Sequence, residues 1–166
     1  EELGRVLGMA KAPETIEAFD VSNIMGEAAV GSMISFYKGR PKKSEYRHFR
    51  IKTVSGIDDY AMMREIVGRR YYRIVKEGKD LPDLILIDGG KGHLGAACGE
   101  LENLGISKIP VVGIAKEFER LYIKGRKHPM VLPKESKALH LLQRIRNEAH
   151  RFAISYHKSL MSKRYR

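Results

Sequence analysis

The sequence predicts an α/β fold with a central mixed five-stranded sheet flanked by helices. Two observations carry this. Apolar residues alternate with period two up to about residue 52 and then recur with a period near 3.6. Beyond that switch, Leu84-Ile85-Leu86-Ile87 is apolar without a break and ends on Asp88 and paired glycines. That pattern belongs to a strand buried on both faces, with its carboxyl end at the crevice where open α/β sheets bind ligands.

The elements follow in order. Residues 1–12 read as an N-terminal extension and 13–166 as one domain. Pro13 ends any preceding helix, and from Thr15 to Val21 the residues Ile16, Ala18 and Asp20 alternate with Glu17, Phe19 and Val21. A second strand spans Ala29 to Tyr37, Lys38-Gly39-Arg40-Pro41 supplies a turn, and a third strand runs from Glu45 to Lys52. Helical spacing then links Met63, Ile66, Val67, Tyr71, Ile74 and Val75, with Asp58 or Asp59 as N-cap, Arg69, Arg73 and Lys76 on the basic face, and Gly78 as the stop. After the Asp88 strand come a helix from Leu94 to Leu104 closed by Gly105, a buried strand from Ile109 to Ala115, and an exposed hairpin over Arg120 to Ile123 and Met130 to Leu132. A long last helix starts at Ser136, its apolar stripe bordered by Arg146 and His150.

This βββαβαβα order is that of a ribonuclease-H-like fold, in which the first and fourth strands are parallel neighbours joined by a right-handed crossover. Asp20 and Asp88 then face each other. Two adjacent carboxylates repel unless a proton or cation lies between them, and oxygen ligands suit Mg2+ or Mn2+. Such a site supports metal-assisted phosphodiester hydrolysis, with His150 as further ligand or general acid/base.

A formal net charge of +11 favours a polyanionic partner, with nucleic acid ahead of a membrane surface. The 43% hydrophobic content suffices for a core. A single cysteine, Cys98, excludes an internal disulfide and suits a reducing compartment; with no apolar run long enough to span a membrane, the expected location is cytoplasmic. The polar ends suggest an excised domain.

Several residues also have plainer roles open to them. Asp88 can cap the helix that follows, Asp58 or Asp59 can cap the helix after residue 58, and His150 can be a satisfied helix-edge histidine. Arg69, Arg70 and Arg73 form either a solvated face or a phosphate-binding cluster, and Lys91 and Lys116, which follow strand ends, are either phosphate contacts or ordinary surface residues. An Asp inside an apolar alternation, as at Asp20, is costly to bury unpaired, which favours function there.

The blocks Ile16-Glu17-Ala18-Phe19-Asp20-Val21-Ser22, Pro41-Lys42-Lys43-Ser44-Glu45-Tyr46-Arg47, Asp58-Asp59-Tyr60-Ala61-Met62, Arg69-Arg70-Tyr71, Ile87-Asp88-Gly89-Gly90-Lys91-Gly92, Ala115-Lys116-Glu117 and Glu148-Ala149-His150-Arg151-Phe152, in this order, resemble the C-terminal endonuclease domain of the UvrC family of bacterial nucleotide excision repair. The resemblance implies a ribonuclease-H-like domain that makes the 5′ incision beside a lesion in double-stranded DNA, acting with UvrB. It implies a divalent metal, an Asp20, Asp88, His150 triad and a further functional acid at Asp59. It also implies that the 3′-cutting domain, the main UvrB-binding segment and a tandem helix-hairpin-helix module lie outside this stretch. Asn23 departs from the pattern, standing where many members have His.

Two alternatives come from other classes. Gly90-Lys91-Gly92-His93-Leu94-Gly95 fits the G-x-G-x-x-G of dinucleotide-binding domains, with Glu117 near the place of a ribose-binding acid. Asp88 and the three leading antiparallel strands oppose that reading. A non-catalytic nucleic-acid-binding module would also use the basic charge and exposed aromatics.

Overall fold

In the computed structural model, residues 1–24, 28–52, 58–116 and 119–164 are described, without the side chains of residues 23, 24, 28, 157 and 159–164. Glu117 and the side chain of Asn23 therefore lie outside the described residues. Strands β1 (Thr15–Ile24), β2 (Ala28–Tyr37), β3 (Arg40–Pro41) and β4 (Arg47–Arg50) precede helix α2 (Asp59–Lys76). Then come β5 (Leu84–Asp88), α3 (Lys91–Asn103), β6 (Val111–Ile114), β7 (Leu121–Ile123) and α4 (Lys137–Arg164). A short α1 (Glu2–Val6) opens the chain.

The strands form one sheet in the order β3-β2-β1-β5-β6-β7, with β4 also paired to β2. Among the described residues seven strands replace the expected five. One addition is the two-residue β3 beside Phe36 and Tyr37; the other is β7, which had been expected in an exposed hairpin. Leu121 and Ile123 are 0% and 7% exposed, so burying them against the sheet wins over hairpin exposure, and β7 pairs antiparallel with β6. Only a single bridge, Leu121 to Met130, remains of the hairpin among the described residues.

Period two divides the core between the faces. Phe19, Ile85, Ile87 and Val111 point toward α2 and α3 and pack with Met63, Ile66, Val67 and Leu101. Ile16, Ala18, Leu84 and Leu86 point toward α4 and pack with Leu142, Ile145 and Ala149. Gly31 on β2 lets α2 approach, since a Cβ there would lie 2.4 Å from Ile66 Cγ2.

Caps set the helix ends. Asp58 Oδ1 accepts the Ala61 N–H at 3.0 Å and starts α2. Ser136 Oγ accepts the Leu139 N–H at 3.2 Å and donates to Glu2 Oε2, which also accepts the Ala138 N–H at 2.7 Å. Residues 2–6 of the expected extension thus lie on α4, with Leu3 2% exposed in the core on that side. Among the described residues no helix is long and apolar enough to cross a membrane.

Candidate active site

Parity places the acids. Asp20 follows Ile16 and Ala18 on β1, and Asp88 follows Leu84 and Leu86 on β5, so both side chains emerge on the α4 face. The strands are parallel and in register through Phe19 opposite Ile87, which makes Asp20 and Asp88 the next rung, at the carboxyl end of the sheet. Gly89 turns the chain away with φ 154°, and the bare Gly113 of β6 makes room, since a Cβ there would be 2.9 Å from the Gly89 carbonyl oxygen.

Asp20 is 7% exposed. Burial first, and then the charge of Asp88 and a hydrogen bond with it, push its carboxyl up to about 7, which favours the protonated acid beside Asp88. Burial also raises Asp88, against the opposing pull of Arg146, Lys116 and His150. Asp20 Oδ2 is buried with no hydrogen-bond partner among the described residues. A buried carboxylate oxygen without a partner is costly, and a cation would supply one.

His150 stands across from this oxygen, its Nδ1 3.9 Å from Asp20 Oδ2 and its side chain 52% exposed. Two turns of α4 bury Ile145 and Ala149 and so aim Arg146 and His150 along the sheet edge. Arg146, in sequence only a neighbour of the apolar stripe, donates to Glu119 Oε2 at 2.8 Å and exerts the largest lowering influence on Asp88. Its spacing of four from His150 was the available signal. Lys116, expected near a phosphate, lies close enough to hold both acids down.

The remaining candidates divide. With Asp58 serving as the cap, Asp59 is freed and its Oδ2 lies 3.9 Å from His93 Nε2, on the α2 and α3 flank of the site. Arg69 and Arg73 are on the surface of α2, where Arg69 pairs with Glu65 and Arg73 with Glu77. Arg70 is separated from them: it is 8% exposed and donates from Nη2 to Glu17 Oε2 at 2.9 Å, with Tyr71 O–H donating to Glu17 Oε1 at 2.7 Å. A guanidinium committed to a buried carboxylate has no open face for DNA. Lys91 is exposed at the start of α3.

Among the described residues no three His, Cys, Asp or Glu side chains form a ready-made cation cage. The donors present nevertheless fit a hard divalent cation, through two carboxylates, one carrying an orphaned buried oxygen, with an imidazole beside them. The glycine run fits a dinucleotide less well. His93 lies over Gly89 and Tyr60 over Gly92, each within 2.4 Å of where a Cβ would stand, so the chain's own rings fill the room a pyrophosphate needs.

A family model described as "UvrC RNAse H endonuclease domain" matches residues 4–154. UvrABC system protein C of Chlorobaculum tepidum is 51% identical over 164 residues, covering 99% of this chain and 26% of that protein. Its counterpart in Dehalococcoides mccartyi is 47% identical over 98% of this chain and 28% of that protein. The chain thus spans between a quarter and a third of the length of such relatives. Among solved structures, Ciona intestinalis Endonuclease V in complex with a DNA containing inosine aligns with a TM-score of 0.44 and 18% identity, over 63% of this chain and 46% of that one. With the family model spanning nearly all of the sheet and helices that build the acid pair, and with relatives near half identity along its length, the chain belongs to the UvrC RNase H endonuclease domain family.

Proposed function

We propose that this chain is a divalent-metal-dependent DNA endonuclease that hydrolyses a phosphodiester, making the 5′ incision beside a lesion in double-stranded DNA during nucleotide excision repair. The observation that carries the reading is the Asp20–Asp88 pair at the carboxyl end of the sheet, with its buried, unpartnered Oδ2. Asp20 and Asp88 would hold Mg2+ or Mn2+, with His150 as a ligand or near-ligand. When bound, the ion supplies a lowered water pKa and charge neutralisation at a phosphate oxygen.

The chain's own groups do the rest. Both carboxyls must be ionised to hold the ion, and the Arg146 and Lys116 charges favour that form of Asp88 against its burial. His150, half exposed beside Asp20, is free to move a proton to or from the reacting oxygens at Nδ1 or Nε2. Lys116, Lys91, Arg69 and Arg73 would hold the strand, while Asp59 would act on the other flank through His93. UvrB on damaged DNA is the partner, in the cytoplasm.

The test is incision of a lesion-containing duplex by a protein containing this chain with Asp20→Asn, Asp88→Asn or His150→Ala, with manganese binding measured by calorimetry. Both Asn variants should lose 5′ incision and manganese affinity. His150→Ala should cut about 10²–10⁴-fold more slowly. If its manganese affinity stays wild type the ligand role fails, and wild-type cutting by either Asn variant refutes the assignment.

A further inference from the structure

Three tyrosines stand among the exposed large side chains of the described residues, Tyr37 at 44%, Tyr60 at 48% and Tyr72 at 59% exposure. Lysines cover two of them. Lys38 and Lys42 Nζ lie 5.3 and 5.9 Å from the Tyr37 ring centre, and Lys76 Nζ lies 6.0 Å from that of Tyr72. Tyr60 is held differently. The His93 ring meets it edge to face, with centroids 4.9 Å apart and planes at 87°, and its phenol tip rests on Gly92, where a Cβ would be 2.4 Å from Cζ. The His93 ring in turn covers Gly89, the residue after Asp88. A continuous path of contacts therefore runs from Tyr60 to the acid pair.

We propose that Tyr60 is a stacking platform for an unpaired nucleobase of the strand held at Asp20 and Asp88, an inference that rests on the nuclease reading above. Tyr60 is 48% exposed while its ring is held by His93 and by the missing side chain at position 92, so the ring is pre-organised and loses little freedom on binding. Exposed Lys91, adjacent to Gly92, supplies a cation for the neighbouring phosphate. Stacking accepts any base, because every base has a π-face, but a base inside a duplex already has both faces covered. Tyr60 thus selects DNA opened next to the cut.

The experiment measures anisotropy-detected binding of the chain in EDTA to a duplex carrying an unpaired bubble and to its fully paired counterpart. 2-Aminopurine is scanned through the bubble to report stacking. Wild type should prefer the bubble and change 2-aminopurine emission at one position. Tyr60→Ala should weaken bubble binding about tenfold, on the scale of one base–aromatic stack, and leave duplex binding unchanged. Tyr60→Phe, which keeps ring and packing, should retain the preference, and Gly92→Ala, which displaces the ring, should lose it. Equal weakening on both DNAs, or a Tyr60→Phe variant that behaves like Tyr60→Ala, overturns the platform. So does a wild-type chain that binds both DNAs equally, leaving the nuclease reading intact. A wild-type chain that binds neither overturns both.

Discussion

Asp20 carries a cost that pH can reveal. Its ordinary pKa of 3.8 is raised to about 7 by burial and by Asp88, so the folded state keeps a proton that the unfolded chain gives up. The stability associated with that proton is whole below pH 3.8 and is lost as pH rises toward about 7. Asp20→Asn mimics the protonated acid at every pH. In EDTA its melting temperature should match wild type near pH 4 and exceed it at pH 8, by a difference worth up to a few kcal/mol. A constant offset across that range would show that the acid is not strained. The identity of this residue was legible, since an Asp in an apolar alternation stands out. The orphaned Oδ2 was not, because it depends on what α4 and β5 bring against it.

Helix α2 shows how one element sorts adjacent residues. Arg69 and Arg73 are a turn apart and share the solvent face, while Arg70 lies in the stripe of Met63, Ile66, Val67 and Ile74, all of them buried. That inward register was available in the spacing, but the reason a charge survives there was not. Glu17 is 53 residues away in sequence. Removing one partner of a buried pair leaves the other uncompensated, so Arg70→Ala should cost about 3–5 kcal/mol in urea unfolding. Arg73→Ala, which breaks an exposed pair, should cost less than about 1 kcal/mol, and Arg69→Ala more, because the Glu65 carboxylate beside it is 5% exposed. If either holds a phosphate, its loss should reduce the log-log salt slope of DNA binding by about one. A slope unchanged in both variants, with Arg70→Ala near neutral, would show that Arg69 and Arg73 touch no phosphate and that Arg70 is not needed for the core.

At the scale of the whole molecule, the fold brings Asp20 of β1, Asp88 at the end of β5 and His150 from the middle of α4 together, and if they hold the proposed ion, metal affinity and folding are linked. Saturating manganese at pH 8 should raise the wild-type melting temperature, by the equivalent of about 2.7 kcal/mol at a hundred times its dissociation constant. Asp20→Asn and Asp88→Asn should show no such rise in scanning calorimetry. A rise that persists in both would place the ion elsewhere. By itself the sequence determined the order of the main strands and helices, an acid within the first strand and another at the end of the Asp88 strand, a cap at Asp58 or Asp59 and one at Ser136, and the glycine stops, because alternation, helical period and capping act over a few residues. Only the tertiary structure decided that β7 joins the sheet, that Arg70 turns to Glu17, that Arg146 engages Glu119, and that Tyr60 and His93 close over the glycines. Each of these depends on burial or charge pairing between segments far apart in the chain, which no local pattern encodes.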